Sequence, residues 1–194
     1  MIRLYKQLQK QYPHVGHKWW PVSNKFTPKQ LEIVVGALLT QNTNWRNVEK
    51  ALDNLIRAQK LTAASIANMS LPTLQTLIKP SGFYKQKSKR LRALCDFIVN
   101  YDGNFYEDVT REQLLELNGI GRETADSILL YACNKPYFVI DAYTKRLLAR
   151  EGYCEQDYDE LRDMFEKKLP KSAKVYKHFH ALIVENEKFM ARRA

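Results

Sequence analysis

The stretch LNGIGRETADSILLYACNKPYFVIDAY, running from Leu117 to Tyr143, carries the strongest structural signal in the chain. A short helix before it, the tight turn 117–121 and a second helix beginning at Arg122 together predict a helix-hairpin-helix. Glycine at 119 and 121 permits positive φ and lets main-chain N–H groups approach a ligand closely. Ile120 is expected to plug inward, above a buried stripe on the second helix formed by Ala125, Ile128, Leu129 and Ala132.

Such a hairpin can hold a phosphate oxygen with main-chain N–H groups and the positive end of the second helix dipole. The alternative is an ordinary helical hairpin with a glycine turn. The Gly-x-Gly pattern alone favours that alternative, whereas the apolar plug and the helices on both sides favour a clamp on the DNA backbone.

Length and charge are compatible with this interpretation. The chain has 194 residues, enough for one domain or two small lobes, and 31 Lys and Arg against 21 Asp and Glu give a formal charge of +10. This balance favours a polyanionic partner, although a merely soluble basic protein would have it too. No apolar run approaches the roughly 18 residues of a membrane span, and the first residues are too polar for a secretory signal. We expect a cytoplasmic protein without a membrane partner.

The cysteines and histidines do not predict a metal site. Only Cys95, Cys133 and Cys154 are present, so a four-cysteine iron-sulfur or zinc site is not available within these residues. His178 and His180 would diverge on a helix, and all four histidines are expected to be surface or packed side chains.

Helical periodicity dominates the remaining sequence and predicts an all-α protein. A basic helix follows the Pro80-Ser81-Gly82 break, and Thr110 with Gln113 forms a plausible capping box for a short helix that ends at Leu117. The strand-like run 137–140 is too short to found a sheet. Other helices are expected from Thr27-Pro28 through Leu38, and over 47–58, 71–78, 159–169 and 173–193.

Four segments together resemble a known family. LNGIGRETA, Asp141 within VIDAY, LLTQNTNW (38–45) and IKPSGFYKQKSKRL (78–91) resemble the helix-hairpin-helix (HhH-GPD) DNA glycosylases of the endonuclease III superfamily. With Trp19-Trp20-Pro21, they look most similar to the bacterial 3-methyladenine DNA glycosylase branch that lacks the iron-sulfur cluster. The resemblance covers most of the chain.

This resemblance implies a two-lobe, all-α fold. Residues 22–135 would form a six-helix barrel lobe with the helix-hairpin-helix at about 112–133, and residues 1–21 plus 136–194 a second helical lobe formed by both termini. The damaged base would enter an active-site cleft between the lobes. The resemblance further implies a monomer that binds double-stranded DNA with a damaged base, without an iron-sulfur cluster or other cofactor. A monovalent cation at the hairpin is compatible with it.

Two residues define the reaction that the resemblance implies. Glu123 stands where bifunctional members place a catalytic lysine, and a carboxylate cannot form the Schiff base that cleaves the strand. A monofunctional enzyme that leaves an abasic site is therefore expected. Asp141 would stabilise the oxocarbenium-like sugar and orient or deprotonate the attacking water. From its position alone, Asp141 is better explained as a helix N-cap, and the two roles are compatible because a capping carboxylate is rigidly held.

The resemblance also places residues at the base and along the DNA. An electron-rich aromatic slot would select a cationic alkylated purine by stacking and cation-π attraction, although tryptophans can equally anchor a core. Asn42 would fill the hole left by the flipped base and Phe83 would wedge against the opposite strand; their alternatives are a turn-stabilising Asn and a core Phe. The predicted base pocket comprises Trp19, Trp20, Pro21, Trp45 and Glu123, and the predicted DNA contacts are Asn42, Phe83, Lys85, Lys87, Gly119, Ile120, Gly121 and Arg122.

The predicted function is excision of alkylated purines, with 3-methyladenine as the preferred lesion. The first alternative is an oxidised-base or adenine-mismatch glycosylase of the same fold. The second is a non-catalytic helix-hairpin-helix DNA-binding protein.

Overall fold

The structure is a computed structural model, and it describes residues 1–16, 20, 22–153 and 157–192. Over these residues the protein is all-α, as predicted, and contains no strand. The helices are α1 Ile2–Gln11, α2 Gln30–Leu39, α3 Trp45–Arg57, α4 Ala63–Ala67, α5 Leu71–Ile78, α6 Tyr84–Val99, α7 Phe105–Asp108, α8 Arg111–Leu115, α9 Arg122–Ser127, α10 Ala142–Arg150, α11 Tyr158–Lys168 and α12 Ala173–Ala191, with a 3-10 turn at Lys79–Ser81 and a π-helical turn at Ile128–Ala132.

The chain divides into two compact units. The central unit is Val22–Ile128, and the terminal unit combines Met1–Pro21 with Leu129–Ala194. In the central unit α6 packs against α4, α5 and α2, and α3 packs against α5. In the terminal unit α12 packs against both α10 and α1. The sequence placed the end of the central lobe at 135, whereas the division in the structure falls within the π-helical turn.

Local capping signals account for several helix boundaries in the central unit. Thr110 and Gln113 form the predicted capping box at α8, which ends at Leu115 rather than at Leu117. The prediction for α2 was wrong at its start: Lys29, not Thr27, is the N-cap. The main-chain N–H of Thr27 donates to the Leu61 carbonyl at 2.8 Å, so this residue is held by the loop after α3 instead.

The apolar stripes match the predicted inner faces. The side chain of Ile120 is 5% exposed, so it packs inward as predicted. The stripe expected on the second helix of the hairpin is also buried, comprising Ala125, Ile128, Leu129 and Ala132. At roughly 1.5–3 kcal/mol for each large apolar side chain removed from water, such stripes stabilise these short helices far more than their propensity does.

A buried ion pair holds the two hairpin helices together. Arg111 on α8 binds Asp126 on α9 through two hydrogen bonds, Nε to Oδ1 at 2.6 Å and a terminal guanidinium nitrogen to Oδ2 at 3.2 Å. Both residues are buried, and Asp126 is fully shielded from solvent. This paired geometry compensates for the cost of burying the two charges.

No helix in the described part of the chain is long and apolar enough to cross a membrane.

Candidate functional site

Asp141 lies at the start of α10 and is its N-cap. Its Oδ1 accepts a hydrogen bond from the main-chain N–H of Thr144 at 2.8 Å. The carboxylate has little freedom because one oxygen is engaged by the helix, and its side chain is only 16% exposed. The N-cap explanation of Asp141 is therefore correct, and it fixes the second oxygen, Oδ2, in a defined position.

The second oxygen of Asp141 faces a buried histidine. Nε2 of His180, on α12, lies 3.2 Å from Oδ2. Burial by itself raises the pKa of Asp141, but the His180 imidazole and the hydrogen bonds from Thr144 outweigh it, so that the pKa lies below its ordinary value. The group is consequently an anion at neutral pH despite its burial.

His180 connects Asp141 to two aromatic side chains in the terminal unit. Its Nδ1 lies 2.6 Å from the hydroxyl of Tyr131, and the Tyr131 and Trp20 rings pack with centroids 4.8 Å apart. Burial, and then the charge of Asp141, raises the pKa of Tyr131 well above its ordinary value, so the phenol stays neutral. The direction of the hydrogen bond between the Tyr131 hydroxyl and Nδ1 follows the tautomer of His180.

Sequence reasoning predicted a surface or packed role for His180 and did not single out Tyr131. Tyr131 and His180 are 49 positions apart, and no local motif joins them. Only the packing of the π-helical turn near α12 brings them together. Among the described residues, no group of His, Cys, Asp and Glu is arranged to hold a metal ion.

The segment before Asp141 is held by side chains of α11 rather than by a strand. The N–H of Phe138 donates to Glu166 Oε1 at 2.7 Å, and the N–H of Ile140 lies 3.4 Å from the hydroxyl of Tyr158. Phe138 also stacks on Phe165 with ring centroids 4.0 Å apart. The two hydrogen-bond contacts satisfy main-chain N–H groups of this segment, which leads directly to Asp141 at the start of α10.

The hairpin loop in the central unit uses its two glycines differently. Gly119 has φ of 85°, and a Cβ there would overlap the side chain of Arg90. Gly121 has φ of −90° and ψ of 175°, so its backbone does not use the positive φ that glycine permits; it is the N-cap of α9, with open space where a Cβ would be. Gly119 is needed for its backbone and its packing, whereas Gly121 is needed only if something approaches it closely.

Gln41 joins the turn after α2 to this loop. Its Nε2 donates to the carbonyl of Gly119 at 2.9 Å and to the hydroxyl of Thr124 at 3.0 Å. Its Oε1 accepts from Arg90 at 3.3 Å. The turn that carries Asn42 is thereby tied to the hairpin.

Phe83 has an unusual backbone conformation for an aromatic residue, and Asn42 shares its positive φ with the exposed Asn24, Gln59 and Asn134. Asn42 and Phe83 are both exposed, Phe83 at 65%, and both have positive φ, 51° and 46° respectively. An exposed aromatic side chain gains no stabilisation from core packing, and a left-handed backbone conformation is sterically unfavourable for such a residue. The alternative of a core Phe is therefore wrong.

The charged residues predicted near DNA separate into exposed and buried ones. Lys85, Arg122 and Glu123 are exposed, and Glu123 lies in the first turn of α9, where an acid favours the helix dipole. Lys87 is 2% exposed, and its ammonium donates to the carbonyls of Leu39 at 2.8 Å and Ser81 at 2.6 Å. The phosphate contact predicted for Lys87 is therefore replaced by an internal role.

The aromatic residues of the predicted base pocket are only partly described. Trp20 lies in the terminal unit and packs on Tyr131. Trp45 is the first residue of α3 in the central unit, and its indole N–H donates to Glu49 at 2.9 Å. Trp19 and Pro21 lie outside the described residues.

The two glycines provide a matched test of the loop. We expect Gly119→Ala to lower the free energy of unfolding by about 1–2 kcal/mol, because an L side chain is strained at this φ and would displace Arg90. Gly121→Ala should leave stability nearly unchanged but weaken duplex binding if the loop holds a phosphate as the sequence predicts, because its Cβ would occupy the open space at Gly121. Urea unfolding and fluorescence anisotropy with duplex DNA measure the two effects. Unaltered DNA affinity in Gly121→Ala would remove the loop from the DNA interface.

The class of protein follows from comparison with known families. Residues 35–171 match the model of the HhH-GPD superfamily base excision DNA repair protein, a region that contains the hairpin, Asn42, Phe83 and Asp141. The chain belongs to this superfamily and is a DNA glycosylase of it. The resemblance inferred from the sequence is confirmed.

Particular relatives extend this match. The chain is 45% identical over 205 residues to a protein of Methanocaldococcus jannaschii called "Putative DNA repair glycosylase MJ1434", covering 100% of this chain and 90% of that one. It is 30% identical over 154 residues to endonuclease III of Thermotoga maritima, covering 79% and 71%. Among solved structures, H. pylori 3-methyladenine DNA glycosylase bound to 1,N6-ethenoadenine matches with a TM-score of 0.85 and 35% identity, covering 97% of each chain.

Proposed function

We propose that this protein is a monofunctional DNA glycosylase that hydrolyses the N-glycosidic bond of alkylated purines, with 3-methyladenine as the preferred substrate. The observation that carries the proposal is Asp141, a shielded carboxylate with a lowered pKa, locked between the N-terminus of α10 and His180. A rigid, ionised carboxylate is what an oxocarbenium-like transition state requires. The similarity to the H. pylori enzyme supports the choice of lesion.

In the proposed reaction, the bond between C1′ and the base nitrogen breaks and its electron pair leaves with the base. A 3-methylated adenine carries a positive charge in DNA and departs as a neutral molecule, so it needs little protonation. Asp141 stabilises the positive charge that develops on the sugar and accepts a proton from the water that adds to C1′. The product is an abasic site.

We place the DNA on exposed features of the central unit. Main-chain N–H groups around Gly121, with Arg122 and Lys85 at the surface, would hold phosphates without reading sequence. Asn42 and Phe83 would enter the duplex, the first filling the hole of the extruded nucleotide and the second separating the opposite strand. Their exposure and strained backbones support this assignment.

Base selection is assigned to aromatic stacking. Trp20 belongs to the same unit as Asp141 and is joined to it through Tyr131 and His180, so a base stacked on this indole would be near the carboxylate. Trp19, Pro21, Trp45 and Glu123 are the other residues proposed to recognise the base. Glu123 would add attraction for a cationic base.

One gel assay tests the proposed reaction. A duplex alkylated with dimethyl sulfate is incubated with the protein, and strand breaks are compared with and without subsequent alkali. We expect breaks only after alkali, because a glycosylase without lyase activity leaves intact abasic sites. Breaks without alkali would contradict the interpretation of Glu123. Chromatography of the released bases identifies the lesion, and no base release at all would favour a non-catalytic DNA-binding protein.

A further inference from the structure

The side chain of Lys87 is buried in the central unit, and its environment is unusual for an ammonium group. Lys87 is 2% exposed, and burial, reinforced by repulsion from Arg90, lowers its pKa to about 8. A charge in such a place is costly unless its donors are satisfied. The ammonium group of Lys87 donates hydrogen bonds to two main-chain carbonyls, so these contacts do not depend on the identity of the partner side chains.

The two carbonyls belong to two different segments, each of which ends a helical element. Leu39 is the last residue of α2, and the turn that follows it leads to Asn42. Ser81 is the last residue of the 3-10 turn, and Gly82 then leads to Phe83. A single ammonium group thus contacts the segment that leads to Asn42 and the segment that leads to Phe83, at 2.8 Å on one side and 2.6 Å on the other.

The surroundings of Lys87 strengthen this link. The buried hydroxyl of Ser81 donates back to the carbonyl of Ile78 at 2.7 Å, which fixes the 3-10 turn. Arg90, one helical turn after Lys87 on α6, donates to Gln41 in the turn before Asn42. Side chains of α6 therefore contact the segment leading to Asn42 at Leu39 and Gln41, and the 3-10 turn before Phe83 at Ser81.

We propose that Lys87 is a positioning residue that couples the Asn42 turn to the Phe83 turn, so that both side chains enter the duplex in a fixed relation. The inference rests on the proposed function, in which these two side chains open the DNA. Without the ammonium, each turn remains attached to its own helix but the relation between them relaxes. Gap filling and strand separation then no longer coincide, and base extrusion becomes slower.

The test uses the full chain with Lys87→Met, which retains the length of the side chain and removes the donors. Arg92→Met, an exposed site on α6, controls for the loss of one positive charge. Single-turnover base release from alkylated duplex should fall by about ten- to hundredfold in Lys87→Met, as expected for misplaced groups remote from the chemistry. Arg92→Met should remain near wild type. Rates are measured well below each protein's melting temperature.

A second measurement uses DNA binding alone and does not require base release. Wild type should bind a duplex containing a tetrahydrofuran abasic analogue more tightly than intact duplex, because the hole is already open. We expect Lys87→Met to reduce this preference while the salt dependence of binding stays unchanged. Loss of a phosphate contact would instead make the plot of log binding constant against log salt concentration less steep, by about 0.9 in slope.

Each outcome of these measurements supports or overturns the positioning role of Lys87. A lower rate and preference with an unchanged salt slope supports the inference, and Lys87→Gln, which keeps a neutral donor, should recover part of both. Wild-type behaviour of Lys87→Met, or a changed salt slope, overturns it. If Lys87→Met does not fold, the preference measured with Lys87→Gln decides instead. If wild type releases no base, the proposed function fails, whereas the abasic preference still tests Lys87.

Discussion

Asp141→Asn should lower base release from alkylated duplex by roughly 10²- to 10⁴-fold, the contribution typical of a positioned acid-base group. Asparagine is as good an N-cap as aspartate, so the hydrogen bond from Thr144 and the start of α10 should persist. The variant loses the negative charge that stabilises the sugar cation and the basicity that activates water. Single-turnover kinetics with saturating protein measure the effect, and the melting temperature and duplex affinity should stay near wild type.

The control for this experiment is Asp157→Asn. Asp157 is likewise an N-cap aspartate, at the start of α11, and forms a capping box with Glu160. Asp157→Asn changes the same chemical group at an equivalent helix position. Because Asp157 has no proposed role in the reaction, this variant should leave base release unaffected. Equal losses in the two variants would show that Asp141 acts through the helix rather than on the substrate. Full activity of Asp141→Asn would exclude Asp141 as the catalytic carboxylate.

The largest effect on stability is expected at the ion pair inside the hairpin. Asp126→Ala should lower the free energy of unfolding by about 3–5 kcal/mol, because it leaves the Arg111 guanidinium buried without its carboxylate. The double variant Arg111→Met with Asp126→Leu should recover much of that loss, since an apolar pair needs no charge compensation. Urea unfolding followed by circular dichroism measures both.

A more exposed ion pair provides the comparison. Asp163 on α11 lies 3.4 Å from the ammonium of Lys167, and their side chains are 45% and 77% exposed. Asp163→Asn should cost less than about 1 kcal/mol, because water solvates Lys167 and because Arg162, which also pairs with Asp163 at 3.2 Å, keeps Asp159 at 2.9 Å. If Asp126→Ala were no more destabilising than Asp163→Asn, the hairpin would not depend on its buried pair.

The features of the hairpin that could be predicted are local ones. Thr110 and Gln113 specify a helix start because both capping partners lie within one turn. Ile120 and the apolar stripe after it specify an inner face because the period of a helix relates neighbours in sequence to neighbours in space. The same period contains a signal that sequence analysis did not use: Lys87 shares a face of α6 with the buried Leu91, whereas Lys85 and Lys89 share the exposed face.

The features that could not be predicted all involve partners distant in the chain. The sequence indicates that Asp141 caps a helix and resembles a catalytic carboxylate, but not that His180 lies 3.2 Å from it. Likewise, helical periodicity can predict that Lys87 is buried, but it cannot predict that the ammonium contacts the carbonyls of Leu39 at the end of α2 and Ser81 in the 3-10 turn. Short-range patterns establish an all-α chain, a hairpin with its glycine turn and the family. Which atoms surround the carboxylate and the buried ammonium depends on how separate helices pack, because periodicity specifies an inner face without specifying what lies against it.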